Sequence, residues 1–172
     1  MMPRQLLLLR HAKSDWASGG TSDFARPLSA RGRKDAKAMG RWLGAQGWRP
    51  DRILASPALR ARDTVERVCR AADIPESTIV WEAAIYDASL AALLRLLTSD
   101  AANQPRVMVV GHNPGLEQLL LHLAGETVAR PPDGKILPTA TLACLAMPEE
   151  WRDLPPGAAT LVSLTRPRDL PR

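Results

Sequence analysis

The amino-acid sequence predicts an α/β protein in which a mostly parallel central sheet carries helices on both faces. Two observations support this. Over the first two thirds of the 172 residues, short apolar runs alternate with amphipathic stretches of helical period, the mark of strand–helix–strand units. Polar clusters also close the apolar runs, and in an open parallel sheet ligands gather beyond the carboxyl ends of the strands.

The first run, QLLLL at 5–9, is too short for a stable helix and uniformly apolar, which suits a strand buried on both faces. Residues 12–28 are rich in Ser, Gly, Thr, Asp and Pro and exceed an ordinary connection in length, so a functional loop is expected there. A helix follows, with Ser29 as N-cap, Ala36, Met39, Trp42 and Leu43 on one stripe, and Gly47 as the stop. DRILAS reads as the second strand. The helix after it, ALRARDTVERVCRAA, turns Leu59, Val65, Val68 and Cys69 towards the sheet. TIVWE is the third strand, LAALLRLL a helix after Ser89, RVMVV a strand running to Gly111, and GLEQLLLHLAG a helix that starts after Pro114. Beyond residue 126 the rhythm changes. PPDGK is a turn, and TATLACLAM and AATLVSLT read as an antiparallel pair at or near a sheet edge. Residues 1–165 form a single domain in this reading, and RPRDLPR, 166–172, a loose C-terminal tail.

Composition narrows the class. With 45% hydrophobic and 24% charged residues and no apolar run near the roughly 18 residues a membrane crossing needs, a globular cytoplasmic protein is expected. The leucines after MMPRQ are core, because a secretory leader needs an apolar stretch of about 7–15 residues and a small-residue cleavage site. Cys69 and Cys144 have no metal-ligand spacing and read as core thiols. A net charge of +5 suits attraction of anionic substrates. Nucleic acid is not expected as a partner, since the basic residues are spread along the chain and Phe and Tyr occur once each.

The chemistry gathers at the strand ends. Arg10-His11 closes the first strand, SPALRA follows the second, EAAIYDAS the third and GHNPG the fourth. Of the three histidines, His11 and His112 stand at strand ends, whereas His122 lies inside a leucine-rich helix and reads as structural. Arg10 and Arg60 are placed to grip phosphate oxygens, and Arg62 to remain solvated. Such a set suits phosphoryl transfer through a phosphohistidine. No metal or nucleotide cofactor is required, the cations balancing the charge of the equatorial oxygens.

LLLLRHAKS, SPALRARDT and VVGHNPG resemble, in that order, the three signatures of the histidine phosphatase superfamily, the phosphoglycerate mutase-like proteins. The resemblance spans residues 5–125 and continues more weakly to about 165. Short length and the SDFARPLSARG segment are most similar to the SixA-type phosphohistidine phosphatases. The resemblance implies a three-layer α/β/α fold with His11 as nucleophile, Arg10 and Arg60 as phosphate arginines and His112 as the facing imidazole. It further implies that Ser14 and Arg26 contact substrate and that Glu82 is a possible proton donor, with Asp15, Tyr86 and Asp87 as rivals. Ala12 replaces the usual glycine after the nucleophile. The implied partner is a protein phosphorylated on histidine, such as a histidine phosphotransfer domain. Alternatives are a general phosphomonoesterase acting on sugar phosphates or nucleotides, and a non-catalytic phosphate-binding module.

Overall fold

A computed structural model of the chain describes residues 3–17 and 22–171. Six strands make one sheet in the order β3-β2-β4-β1-β5-β6. They are β1 (Gln5–Arg10), β2 (Arg52–Ala55), β3 (Ile79–Trp81), β4 (Arg106–Gly111), β5 (Leu142–Ala146) and β6 (Thr160–Thr165). Between the first four run the helices α1 (Ala30–Ala45), α2 (Leu59–Ala72) and α3 (Leu90–Leu97), and α4 (Gly115–Ala124) follows β4.

Strands β3, β2, β4 and β1 are mutually parallel, while β5 pairs antiparallel with β1, and β6 antiparallel with β5 at the edge. Side chains alternate across a strand, so the leucine run divides between two cores. Leu7 and Leu9 pack with Met39 and Leu43 of α1 and Val65 and Val68 of α2. Leu6 and Leu8 pack on the opposite face with Leu93 of α3 and Leu119 and Leu123 of α4. All four leucines are fully buried, each contributing about 1.5–3 kcal/mol relative to exposure. The double burial expected of a short, unbroken apolar strand is therefore observed.

The helix limits follow the local signals. Ser29 Oγ accepts from the Gly32 N–H at 3.0 Å, and Ser89 Oγ caps α3 by accepting from the Ala92 N–H at 3.1 Å. Gly40 lets α1 lie close on α2, since a Cβ there would sit 2.7 Å from the Val68 carbonyl oxygen. Cys69 and Cys144 are buried thiols, pushed up to about 12 and about 11 chiefly by that burial.

Several details differ from the sequence reading. Leu59, expected against the sheet, is only half-buried, because α2 begins at that residue and its inward stripe starts with Arg60 and Ala61. Trp42 is likewise half-buried, its ring edge-on to Trp48 with centroids 5.4 Å apart. The tail expected to be loose is docked as far as it is described. Arg166 pairs with Asp133 at 2.9 Å and donates to the Lys135 carbonyl, and Leu170 is 8% exposed in the core beneath α1. Residues 18–21 of the long polar loop, and Arg172 of the tail, lie outside the described residues. Among the described residues no helix is long and apolar enough to cross a membrane.

Candidate active site

Parallel pairing brings Arg10 level with Gly111, and Ala55 level with Val110 and Trp81, so the polar clusters after the four parallel strands share one edge of the sheet. A cleft of about 410 Å³ opens there, and Arg10, His11, Ser14, Arg26, Arg60 and His112 all line it.

His11 sits at the end of β1 and is only 6% exposed. Its Nδ1 lies 2.8 Å from the carbonyl oxygen of Ala12. A carbonyl only accepts, so Nδ1 carries the proton and Nε2 keeps its lone pair for the cleft. The backbone around it is tied down from three directions. The His11 N–H donates to the Gly111 carbonyl at 3.0 Å, and the N–H of Ala140 donates to the carbonyls of Arg10 and His11 at 3.1 Å. The Ala12 N–H donates to Thr64 Oγ1 at 3.0 Å, and that hydroxyl donates to the Arg60 carbonyl at 2.6 Å. Thr64 thereby locks the first motif to the second. Ala140 holds a left-handed conformation at φ 57°, a local strain of about 1–2 kcal/mol for a residue with a Cβ, tolerated where its N–H serves two carbonyls at once.

The guanidinium groups are partly committed. Arg10 donates to the Leu137 carbonyl at 3.2 Å and leaves its buried Nε without a partner. Arg60, 6% exposed, donates to the Asp23 carbonyl at 2.6 Å and to Asp23 Oδ2 at 3.1 Å, and its Nε is also unpartnered. Arg26 bridges Ser14 Oγ at 2.9 Å and Asp23 Oδ1 at 2.7 Å while lying 3.6 Å over the ring of Trp16. Tyr86 donates its hydroxyl to Asp23 Oδ2. That bond, with the arginines beside it, holds the Asp23 carboxyl down to about 2. A carboxylate thus occupies the mouth of an arginine cluster suited to a phosphoryl group.

His112 faces His11, with ring centroids 5.1 Å apart. Its Nε2 is 2.8 Å from Ser56 Oγ, and its buried Nδ1 has no partner. Burial first, then the neighbouring cations, lowers His112 to about 4. His11 falls to about 3 by burial, opposed by its bond to Ala12 and reinforced by His112, Arg10 and Arg60. An unfolded chain protonates its imidazoles near pH 6.5. Between that pH and about 3 the unfolded state therefore binds more protons than the fold. The resulting stability is fully present above pH 6.5 and is lost as pH falls through this window. In an NMR titration of the phosphate-free protein, the His11 and His112 ring resonances are expected not to move between pH 8 and pH 5. A midpoint near 6.5 for either would contradict the buried, neutral pair.

Glu82 is half-buried just after β3 and is not among the residues that line the cleft. The short turn Ala83–Ile85 carries the chain away from the strand and delivers Tyr86 and Asp87 to the cleft instead. Asp15 does not line it either. His122, as expected, serves the fold, its Nε2 bonding the Leu154 carbonyl at 2.8 Å, and Arg62 is exposed over the ring of Trp81. Sequence reasoning missed Asp23 and Ser56. The second lay in plain view within SPALRARDT, but its contact with a residue 56 positions away has no local signature.

The sequence model described as the histidine phosphatase superfamily (branch 1) matches residues 6–84. Over 127 residues the chain is 34% identical to the phosphohistidine phosphatase SixA of Escherichia coli K12, covering 72% of this chain and 76% of that protein. The chain belongs to the histidine phosphatase superfamily. Within that superfamily this phosphatase is most similar to the SixA type. A solved structure from Agrobacterium tumefaciens assigned to SixA superposes with a TM-score of 0.80 at 32% identity, over 96% of this chain and 99% of that one. A mycobacterial glucosyl-3-phosphoglycerate phosphatase shares the fold alone, with a TM-score of 0.62 at 19% identity over 93% and 98% of the two chains. The α/β sandwich of this histidine phosphatase is thus the phosphoglycerate mutase-like fold expected from its sequence.

Proposed function

We propose that this histidine phosphatase removes phosphate from phosphohistidine on a protein, through a phosphoryl group held covalently on His11 and without a metal ion. The observation that carries the reading is the His11 ring: neutral, fixed through Nδ1 to the Ala12 carbonyl at 2.8 Å, and facing a cleft lined by Arg10 and Arg60. In the first step His11 Nε2 attacks phosphorus, the new N–P bond forms, and the P–N bond to the substrate imidazole breaks. The unsubstituted ring nitrogen of the substrate imidazole takes a proton from water before departure, so that the ring leaves as neutral imidazole. Water then attacks the phosphoryl group, and His11 Nε2 leaves with its lone pair restored.

Arg10, Arg60 and Arg26 offer donors to the equatorial oxygens. With Ser56 donating to Nε2, the His112 proton sits on Nδ1 and adds a further donor there. The phosphoryl group displaces Asp23 from Arg60. Held ionised, Asp23 is an acceptor and not the acid. Among the described residues no group of three metal-ligating side chains assembles, and in this scheme the cations supply the charge that a metal would. A protein substrate is supported by the exposed rim, where Trp16 is 74% exposed, and by the SixA similarity.

The test is release of inorganic phosphate in EDTA from a histidine-phosphorylated protein and from phenyl phosphate in parallel. Faster release from the phosphoprotein, unaffected by EDTA, is the expected result. Preference for the ester would make the enzyme a general phosphomonoesterase. Loss of activity in EDTA, restored by a divalent ion, would overturn the metal-free scheme.

A further inference from the structure

Outside the cleft, the most unusual surface is the outward face of α1. That helix holds Arg31, Arg33, Lys34, Lys37 and Arg41 against the single carboxylate Asp35, a balance of +4 in a chain whose total is +5. Asp35 is already paired with Arg31 at 3.7 Å. Lys37 and Arg41 also meet Arg67 and Arg70 of α2 around a second depression that no carboxylate lines. Like charges concentrated in this way raise the potential locally and cost stability unless a counter-charge arrives.

The face is not flat. Between α1 and the docked segment 167–171 runs a groove of about 840 Å³, with Trp42, Pro167 and Leu170 among its apolar lining and Lys34, Lys37 and Arg168 among its cations. The helix that walls the groove also touches the cleft at its first turn. The N–H of Ser29 donates to the Lys13 carbonyl at 2.9 Å, and a Cβ on Gly32 would stand 2.0 Å from that oxygen, so the first turn of α1 rests on Lys13, itself a cleft residue. From Ser29 to Arg41 the helix extends about 18 Å, enough for several turns of a docked helix.

We propose that this groove is the docking site for an acidic, apolar-faced helix of the phosphorylated partner, which lies along α1 and so presents its phosphohistidine to the cleft. The proposal rests on the reading that the substrate is a protein. Apolar floor and cationic rim together fit an amphipathic acidic helix. A second copy of this chain brings the same positive face and is repelled. Nucleic acid needs open aromatic faces or a continuous phosphate track, whereas Trp42 is half-buried against Trp48.

The variant Lys34→Glu/Lys37→Glu/Arg41→Glu changes exposed side chains only. Against a histidine-phosphorylated, acidic helical-bundle protein, its kcat/KM is expected to fall at least tenfold, mainly through KM. Turnover of free phosphohistidine should stay within twofold, and the melting temperature should not fall, since the change relieves repulsion on this face. Equal losses on both substrates, or no loss on either, would overturn the groove as a docking site. Binding of the unphosphorylated bundle, measured by titration, reads the groove without catalysis. If the wild type releases nothing from the phosphoprotein, the protein-substrate reading fails, and the groove stands or falls on whether the variant loses that binding at least tenfold. Tighter wild-type binding to a 20-base-pair DNA duplex or to phosphatidylserine vesicles than to the bundle would reject the acidic helix in favour of those ligands.

Discussion

Substituting His11 by alanine is expected to lower phosphate release at least a thousandfold while the protein remains folded. The substitution removes the imidazole nitrogen held ready for attack, while Nε2 of the other cleft imidazole, His112, is engaged by Ser56 at 2.8 Å. The fold loses little. His11 contributes one side-chain hydrogen bond, to the Ala12 carbonyl, and its neutral ring sits against Arg10, Arg60 and His112, neighbours that oppose its charging. A cost of about 1–2 kcal/mol would move the melting temperature by only several degrees in a chain of this size. Acid-labile radiolabel trapped on the protein after brief exposure to labelled substrate should appear in the wild type and be absent from the variant. Label retained in the variant, or activity within tenfold of wild type, would remove His11 from the nucleophile's position.

Arg60→Ala should weaken binding of inorganic phosphate or tungstate by about 2–5 kcal/mol, a factor of about 30 to several thousand. Arg60 is buried and grips the backbone and the carboxylate of Asp23 together, so its loss removes a phosphate donor and also frees the segment that carries Arg26. Lysine should not restore binding. An ammonium is a point charge and cannot reproduce the planar fork that spans the two Asp23 oxygens. Calorimetric titration of the three proteins reads this directly, and an affinity change below threefold in the alanine variant would exclude Arg60 from the phosphate site.

Much of this site could be read from the sequence, for a physical reason. Arg10-His11, Arg60 and His112 each follow a recognisable strand, and parallel strands place their ends on one edge. The capping serines and the split of the leucines between two cores follow equally local rules. Asp23 and Ser56 were not legible, since each acts through contacts with residues far away in the sequence. Glu82 shows that proximity to a strand end does not determine what lines the cleft: the turn at 83–85 brings Tyr86 and Asp87 there. The tail was misjudged by composition. Its prolines do not prevent Leu170 from reaching the core, and Arg166 pairs with Asp133 of the PPDGK turn, 33 residues away, a contact with no local signature.

Strand β1 is made well before either of the strands that pair with it. Its neighbours are β4, in register from Gln5 with Arg106 onward, and β5, pairing back from Ala146, so about a hundred residues must leave the ribosome before either edge of the leucine run is covered. Until then the nascent chain carries an unpaired run of four leucines, the kind of segment that seeks partners in other chains. The burial that makes β1 a rigid platform for His11 in the finished enzyme makes the same residues an aggregation hazard during synthesis.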